Sequence, residues 1–137
     1  MNVVMKLLRL AVVGGLSACA HTERAANDGL TPTGLIAIAE QHRGQTATVV
    51  GYFTWRTDTR ALWESRDAHL DALRERKGAD YDYWAKCLTI YPLGDARRLT
   101  DRRVRVTGKV VIVADNEIRS LWTCNRVALQ DAVITPE

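Results

Sequence analysis

Three thiols, three imidazoles and two small groups of carboxylates are the side chains in this 137-residue chain with chemistry to offer, and their spacing suits little of it. His21, His42 and His69 are scattered, without the His-Glu-x-x-His spacing that places two imidazoles on one helix face for zinc hydrolysis. No Gly-x-Ser-x-Gly elbow or phosphate-cradling glycine-rich loop is present. Asp80 and Asp82 alternate, but two acids fall short of a calcium loop's ligand set. Glu64, Asp67 and Asp71 are the carboxylates a small enzyme acting on glycan or lipid would use. Cys87 and Cys124 form no Cys-x-x-Cys, which argues against a redox enzyme. The expectation is a protein without catalytic residues, metal or cofactor.

The residues better suited to recognition are Tyr52, Trp55, Arg56, Arg60 and Trp63, which combine stacking surfaces with cations around one turn. Such a set is what a binding face needs. The alternative is that the aromatic three are core or rim packing in a chain with only one Phe, and that Arg56 and Arg60 are solvated or paired with Asp58 and Glu64.

The third thiol, Cys19, has a different context. Lys6 and Arg9 precede a short apolar run from Leu10 to Leu16, and Leu16-Ser17-Ala18-Cys19 follows. The run is shorter than the roughly 20 continuous apolar residues a spanning helix requires. This order resembles a bacterial lipoprotein signal. The resemblance implies that Cys19 Sγ takes a diacylglyceryl group, that residues 1–18 are cut away, and that the new amine is acylated. Several chains on one residue would give stable anchoring where one gives only marginal binding. Ala20, rather than Asp, follows the cysteine, which by the same resemblance favours the outer membrane and a domain facing the periplasm. An ordinary secretory signal cut near Ala18 or Ala20 is the competing reading.

Loss of residues 1–18 leaves 119, a common size for one domain. It also removes two cations, so the formal charge falls from +3 to +1 and the sequence pI of 8.9 is no nucleic-acid footprint. The run Arg97, Arg98, Arg102, Arg103 and Arg105 then reads as a solvated face. An exported chain meets an oxidising compartment, where the remaining Cys87 and Cys124 would pair and close a loop of roughly 38 residues, with about 3 to 4 kcal/mol of chain-entropy stabilisation; two unpaired buried thiols are the alternative.

Residues 19–32 are small, polar and without period after the acylation site, as a tether would be. Residues 33–137 read as the domain. Thr33 opens a short helix through His42, stopped at Gly44. Thr46 to Arg56 and Ala61 to Ser65 form a hairpin around Thr57-Asp58-Thr59. Arg66 to Lys77 is a helical insertion ended by Gly78, and Trp84 to Tyr91 a third strand. Arg102 to Val113 alternates cleanly, with Val104, Val106, Gly108, Val110 and Ile112 on one face. Ile118 to Thr123 follows an Asp115-Asn116 turn, and Arg126 to Ile134 is the last strand.

An internal echo sets Ala47 to Phe53 against Val104 to Val110 with Gly51 on Gly108. A glycine inside a strand marks a bend or close backbone approach of the sort small barrels need. These segments, with the initial helix, Gly44 to Tyr52, Ala61-Leu62-Trp63-Glu64-Ser65 and Val104 to Gly108, resemble exported bacterial proteins of the OB-fold type over residues 33–134. The resemblance implies a mainly β, five-stranded OB-like barrel; a small sandwich or a mixed sheet is the competing architecture. OB-folds often bind oligonucleotides or oligosaccharides on strands two and three and the adjacent loops. An envelope location turns that expectation toward a glycan or an envelope protein partner and away from nucleic acid, with the membrane reached through Cys19.

Overall fold

The computed structural model describes residues 29–57, 59–75, 86–114 and 124–137. Cys19 and the signal-like segment, Asp58, Gly78, Asp80, Asp82, Trp84 and the Ile118–Thr123 segment lie outside the described residues.

Five strands close into one barrel: β1 (Thr46–Trp55), β2 (Arg60–Trp63), β3 (Cys87–Pro92), β4 (Arg102–Ile112) and β5 (Val127–Pro136). Their order around it is β1-β2-β3-β5-β4, with β4 returning to β1. All neighbours are antiparallel except β3 and β5. The fold is thus the expected mainly β, OB-like barrel. Helix α1 (Pro32–His42) precedes it, and helix α2 (Arg66–Glu75) is inserted between β2 and β3.

Alternation along the strands decides what is inside. Val49, Phe53, Leu62, Leu88, Ile90, Val104, Val106, Val110 and Leu129 are buried in one cluster. Arg103 and Lys109 on the opposite face of β4 are exposed. Gly51 and Gly108 are both demanded by close approach. A Cβ at Gly51 would stand 2.5 Å from the Trp63 carbonyl oxygen, and one at Gly108 would stand 2.9 Å from that of Gln130. The second glycine sits where the β4–β5 pairing shifts register, beside Asp131 with its φ of 52°. The bends inferred from the echo are therefore real constraints of the barrel wall.

Helix α1 begins where Thr31 Oγ1 accepts a hydrogen bond from the Gly34 amide at 3.1 Å, with Pro32 in the first turn. Leu35 and Ala39 plug the end of the barrel where β4 stops and β5 starts. The expected tether overshoots the structure here. Leu30 bridges to Val49, its amide donating to Thr48 O at 2.9 Å while the Val50 amide donates to Leu30 O at 2.8 Å, and Pro32 is buried. A local lack of periodicity cannot reveal that a strand nearby has open backbone groups to pair. Glu64, considered above as an acid or an arginine partner, instead receives the Thr33 amide at 3.2 Å and its hydroxyl at 2.8 Å. It caps the helix entry.

Candidate binding groove at the first hairpin

The five aromatic and basic residues of the first hairpin do not form one face; the pleat divides them. Tyr52 and Trp63 point outward from the barrel, whereas Trp55 and Arg60 lie at its mouth, at the end away from α1.

The outward pair is covered. Trp63 is 3% exposed and packs with Ala61, Ala72 and the two cysteines, with Tyr52 against the edge of that cluster. Its indole N–H donates to Thr54 Oγ1 at 3.0 Å, so its polar atom is satisfied. His69 of α2 sits over it, with ring centroids 4.9 Å apart, and 6.0 Å from Tyr52. Cys87 and Cys124 are bonded and buried, and the Cys124 amide donates to Thr89 Oγ1 on β3 at 2.9 Å. The outer surface of strands two and three, where OB-folds often take ligands, is here occupied by α2 and the disulfide. Trp63 is a packing residue.

The inward pair borders open space. Trp55 and Arg60 are register partners, and the Arg60 guanidinium carbon stands 4.6 Å from the centre of the indole. Phe53 meets Trp55 edge-on at 6.3 Å and roots it in the core. Trp55, Arg56, Thr57, Arg60, Arg97 and Thr100 together line a groove of about 720 Å³.

Three of these residues are fixed by their neighbours. The Trp55 amide donates to Thr100 Oγ1 at 2.8 Å, and Arg56 Nη1 donates to the same oxygen at 3.3 Å. Arg56 Nη2 meets Asp101 Oδ1 at 2.9 Å, and the Tyr52 hydroxyl donates to that oxygen at 3.3 Å. The hydrogen bond from Arg56 is the main cause holding the Asp101 carboxyl below its ordinary range, against the opposing effect of burial. Burial first, and Asp101 second, push the Tyr52 phenol upward. Arg97 donates through Nε and Nη2 to both oxygens of Asp95, at 3.0 and 2.7 Å, which holds that carboxyl at about 2. Arg60 differs. Among the described residues it has no hydrogen bond or ion pair, and its Nε is buried without an acceptor.

Sequence reading named Trp55, Arg56 and Arg60 but missed Arg97 and Thr100. Arg97 belonged to the arginine run assigned to a solvated face, and that run divides: Arg97 turns to the groove, while Arg103 and Arg105 share Glu137. The missing information is the β1–β4 register, which pairs Phe53 with Arg102 and so carries residues 97–101 beside the hairpin. Among the described residues no three His, Cys, Asp or Glu side chains gather as metal ligands, and no helix is long and apolar enough to cross a membrane. Comparison with protein families, with curated proteins and with solved structures finds no match to this chain.

Proposed function

We propose that this protein is an exported lipoprotein, held to the outer membrane by acyl chains on Cys19 and facing the periplasm, whose barrel is a non-catalytic binding module. The ligand or partner enters at the hairpin groove. The observation that carries the reading is Arg60, a guanidinium held on an indole at the lip of an open groove with no acid paired to it among the described residues. A folded chain rarely keeps such a group idle, because a buried donor without a partner costs about 1–3 kcal/mol. The Leu16-Ser17-Ala18-Cys19 sequence supports the anchor, and a buried disulfide suits an oxidising compartment.

The test is metabolic labelling with an alkyne fatty acid in cells making the wild-type or Cys19→Ser chain, followed by in-cell crosslinking. Acyl label and membrane recovery should vanish with Cys19→Ser, and the crosslinked material should be lost when Arg60 is replaced by Gln. Unchanged label in Cys19→Ser rejects the anchor; an unchanged crosslink pattern in Arg60→Gln rejects the groove.

A further inference from the structure

We propose that the groove recognises a phosphate group carried on a larger molecule; this rests on reading the groove as the binding site and names the chemistry it selects. Two elements bring three donors to the lining of the same groove. Arg60, from β2, lines the groove with a guanidinium that has no hydrogen bond or ion pair among the described residues, its Nε being buried. Arg97, from the 3-10 turn Arg97–Leu99, spends Nε and Nη2 on Asp95 and keeps Nη1. Thr100 Oγ1 already accepts from Trp55 and Arg56, so its own hydrogen is left to donate. Among the described residues, the donors of Arg60 and the remaining Nη1 of Arg97 have no protein acceptor.

Geometry and charge narrow the acceptor. A carboxylate presents two oxygens in one plane, whereas a phosphate presents three around a tetrahedron and can meet donors arriving from three directions. Among the described residues, Arg56, Arg60 and Arg97 stand against Asp95 and Asp101, leaving one uncompensated positive charge that attracts an anion. A nucleic-acid strand is tracked by a basic groove with several free cations and stacking platforms, which two half-exposed acids beside the site oppose. The groove's roughly 720 Å³ lies within the range of small-molecule sites. It exceeds by far the roughly 30 Å³ that a water molecule occupies in the liquid. The phosphate is thus one corner of a larger body, whose apolar part would lie along Trp55.

Both exposed ion pairs are compatible with this. Arg56–Asp101 and Arg97–Asp95 have side chains about half or more exposed, and such pairs contribute little. Their work is positional: they hold two guanidiniums at the rim while Trp55 holds the third. A lipid headgroup and a soluble phosphorylated metabolite share this chemistry.

The experiment is a titration of the full chain carrying Cys19→Ser, so that no acyl chain contributes, at constant ionic strength. Glycerol 3-phosphate, a neutral N-acetylglucosamine oligomer, and phosphatidylcholine vesicles with and without phosphatidic acid are the probes. The NMR signals of the Trp55 indole and the arginine Nε–H groups are the readout for the soluble probes, and co-sedimentation is the readout for the vesicles. Saturable shifts with glycerol 3-phosphate, weakened about tenfold or more by Arg60→Gln and by Arg97→Gln but not by Lys109→Gln, are expected. Binding only to phosphatidic acid vesicles, with the same dependence on Arg60, would assign the phosphate to a lipid. A response to the neutral glycan alone would overturn the phosphate while leaving a binding groove; no response to any probe would overturn both. Equal weakening by Lys109→Gln would overturn the site in favour of general charge.

Discussion

Trp55 and Arg60 face each other across the first hairpin, with the guanidinium carbon 4.6 Å above the indole and its Nε buried without an acceptor. The two contributions oppose. A cation on an aromatic face gains about 0.5–2 kcal/mol, and an unsatisfied buried donor costs about 1–3 kcal/mol. The contact therefore adds little to the stability of the barrel, and its position at the lip of the groove is what explains it.

It follows that Arg60→Met, which keeps the stem over the ring and removes the orphan donor, leaves unfolding stability unchanged or raises it by up to about 1 kcal/mol. Trp55→Ala behaves differently, because it removes a half-buried ring packed on Phe53, and costs about 2 kcal/mol or more. Urea unfolding of both variants checks this. A loss above about 1 kcal/mol in Arg60→Met would make Arg60 a structural residue.

The barrel was largely legible because β4 alternates, and because Gly51 and Gly108 sit where a side chain would strike backbone. Aligning those glycines does not give the strand register. In the barrel Gly51 pairs with Val104 and Gly108 with Ala47, since the strands run antiparallel. Residue types could name Trp55 and Trp63 as aromatic surfaces but could not separate them. The pleat turns one into the mouth and the other under α2, and that outcome depends on a helix whose docking is a tertiary fact. Arg97 was hidden for the same reason: only pairing of β1 with β4 brings it to the hairpin.

His69 makes the docking of α2 sensitive to acid. It is 8% exposed between Trp63 and Tyr52; burial is the chief cause lowering its pKa below 6.5, Arg56 adds to this, and Asp101 opposes it. The folded chain thus takes up a proton less readily than the unfolded one. Stability is full above the unfolded pKa and falls as pH drops through the window below 6.5 toward the folded value. The urea midpoint should decline from about pH 7.5 to about pH 5, and hydrogen exchange in α2 should rise over the same interval. His69→Phe should flatten that part of the profile. An undiminished slope in the variant would place the titration elsewhere.

The disulfide joins the end of the β4–β5 connection to the first residue of β3, across a sequence separation of 37. Closing a loop of that length removes denatured-state entropy equivalent to about 4 kcal/mol, less any native strain. Because Cys87 is fully buried and Cys124 nearly so, a reductant must wait for the surrounding structure to open. The bond also forms the floor on which Trp63 and Ala72 pack, so its loss should loosen α2 before it opens the barrel. Replacing both cysteines by Ala should lower unfolding stability by about 3 to 4 kcal/mol and raise hydrogen exchange most in α2 and at the start of β3, with β1 and β4 less affected. The interior residues Val49, Phe53, Val104 and Val106 make a separate cluster that does not include either sulfur. Uniform loss of protection across all five strands would show instead that the barrel and the α2 cover unfold as one cooperative unit.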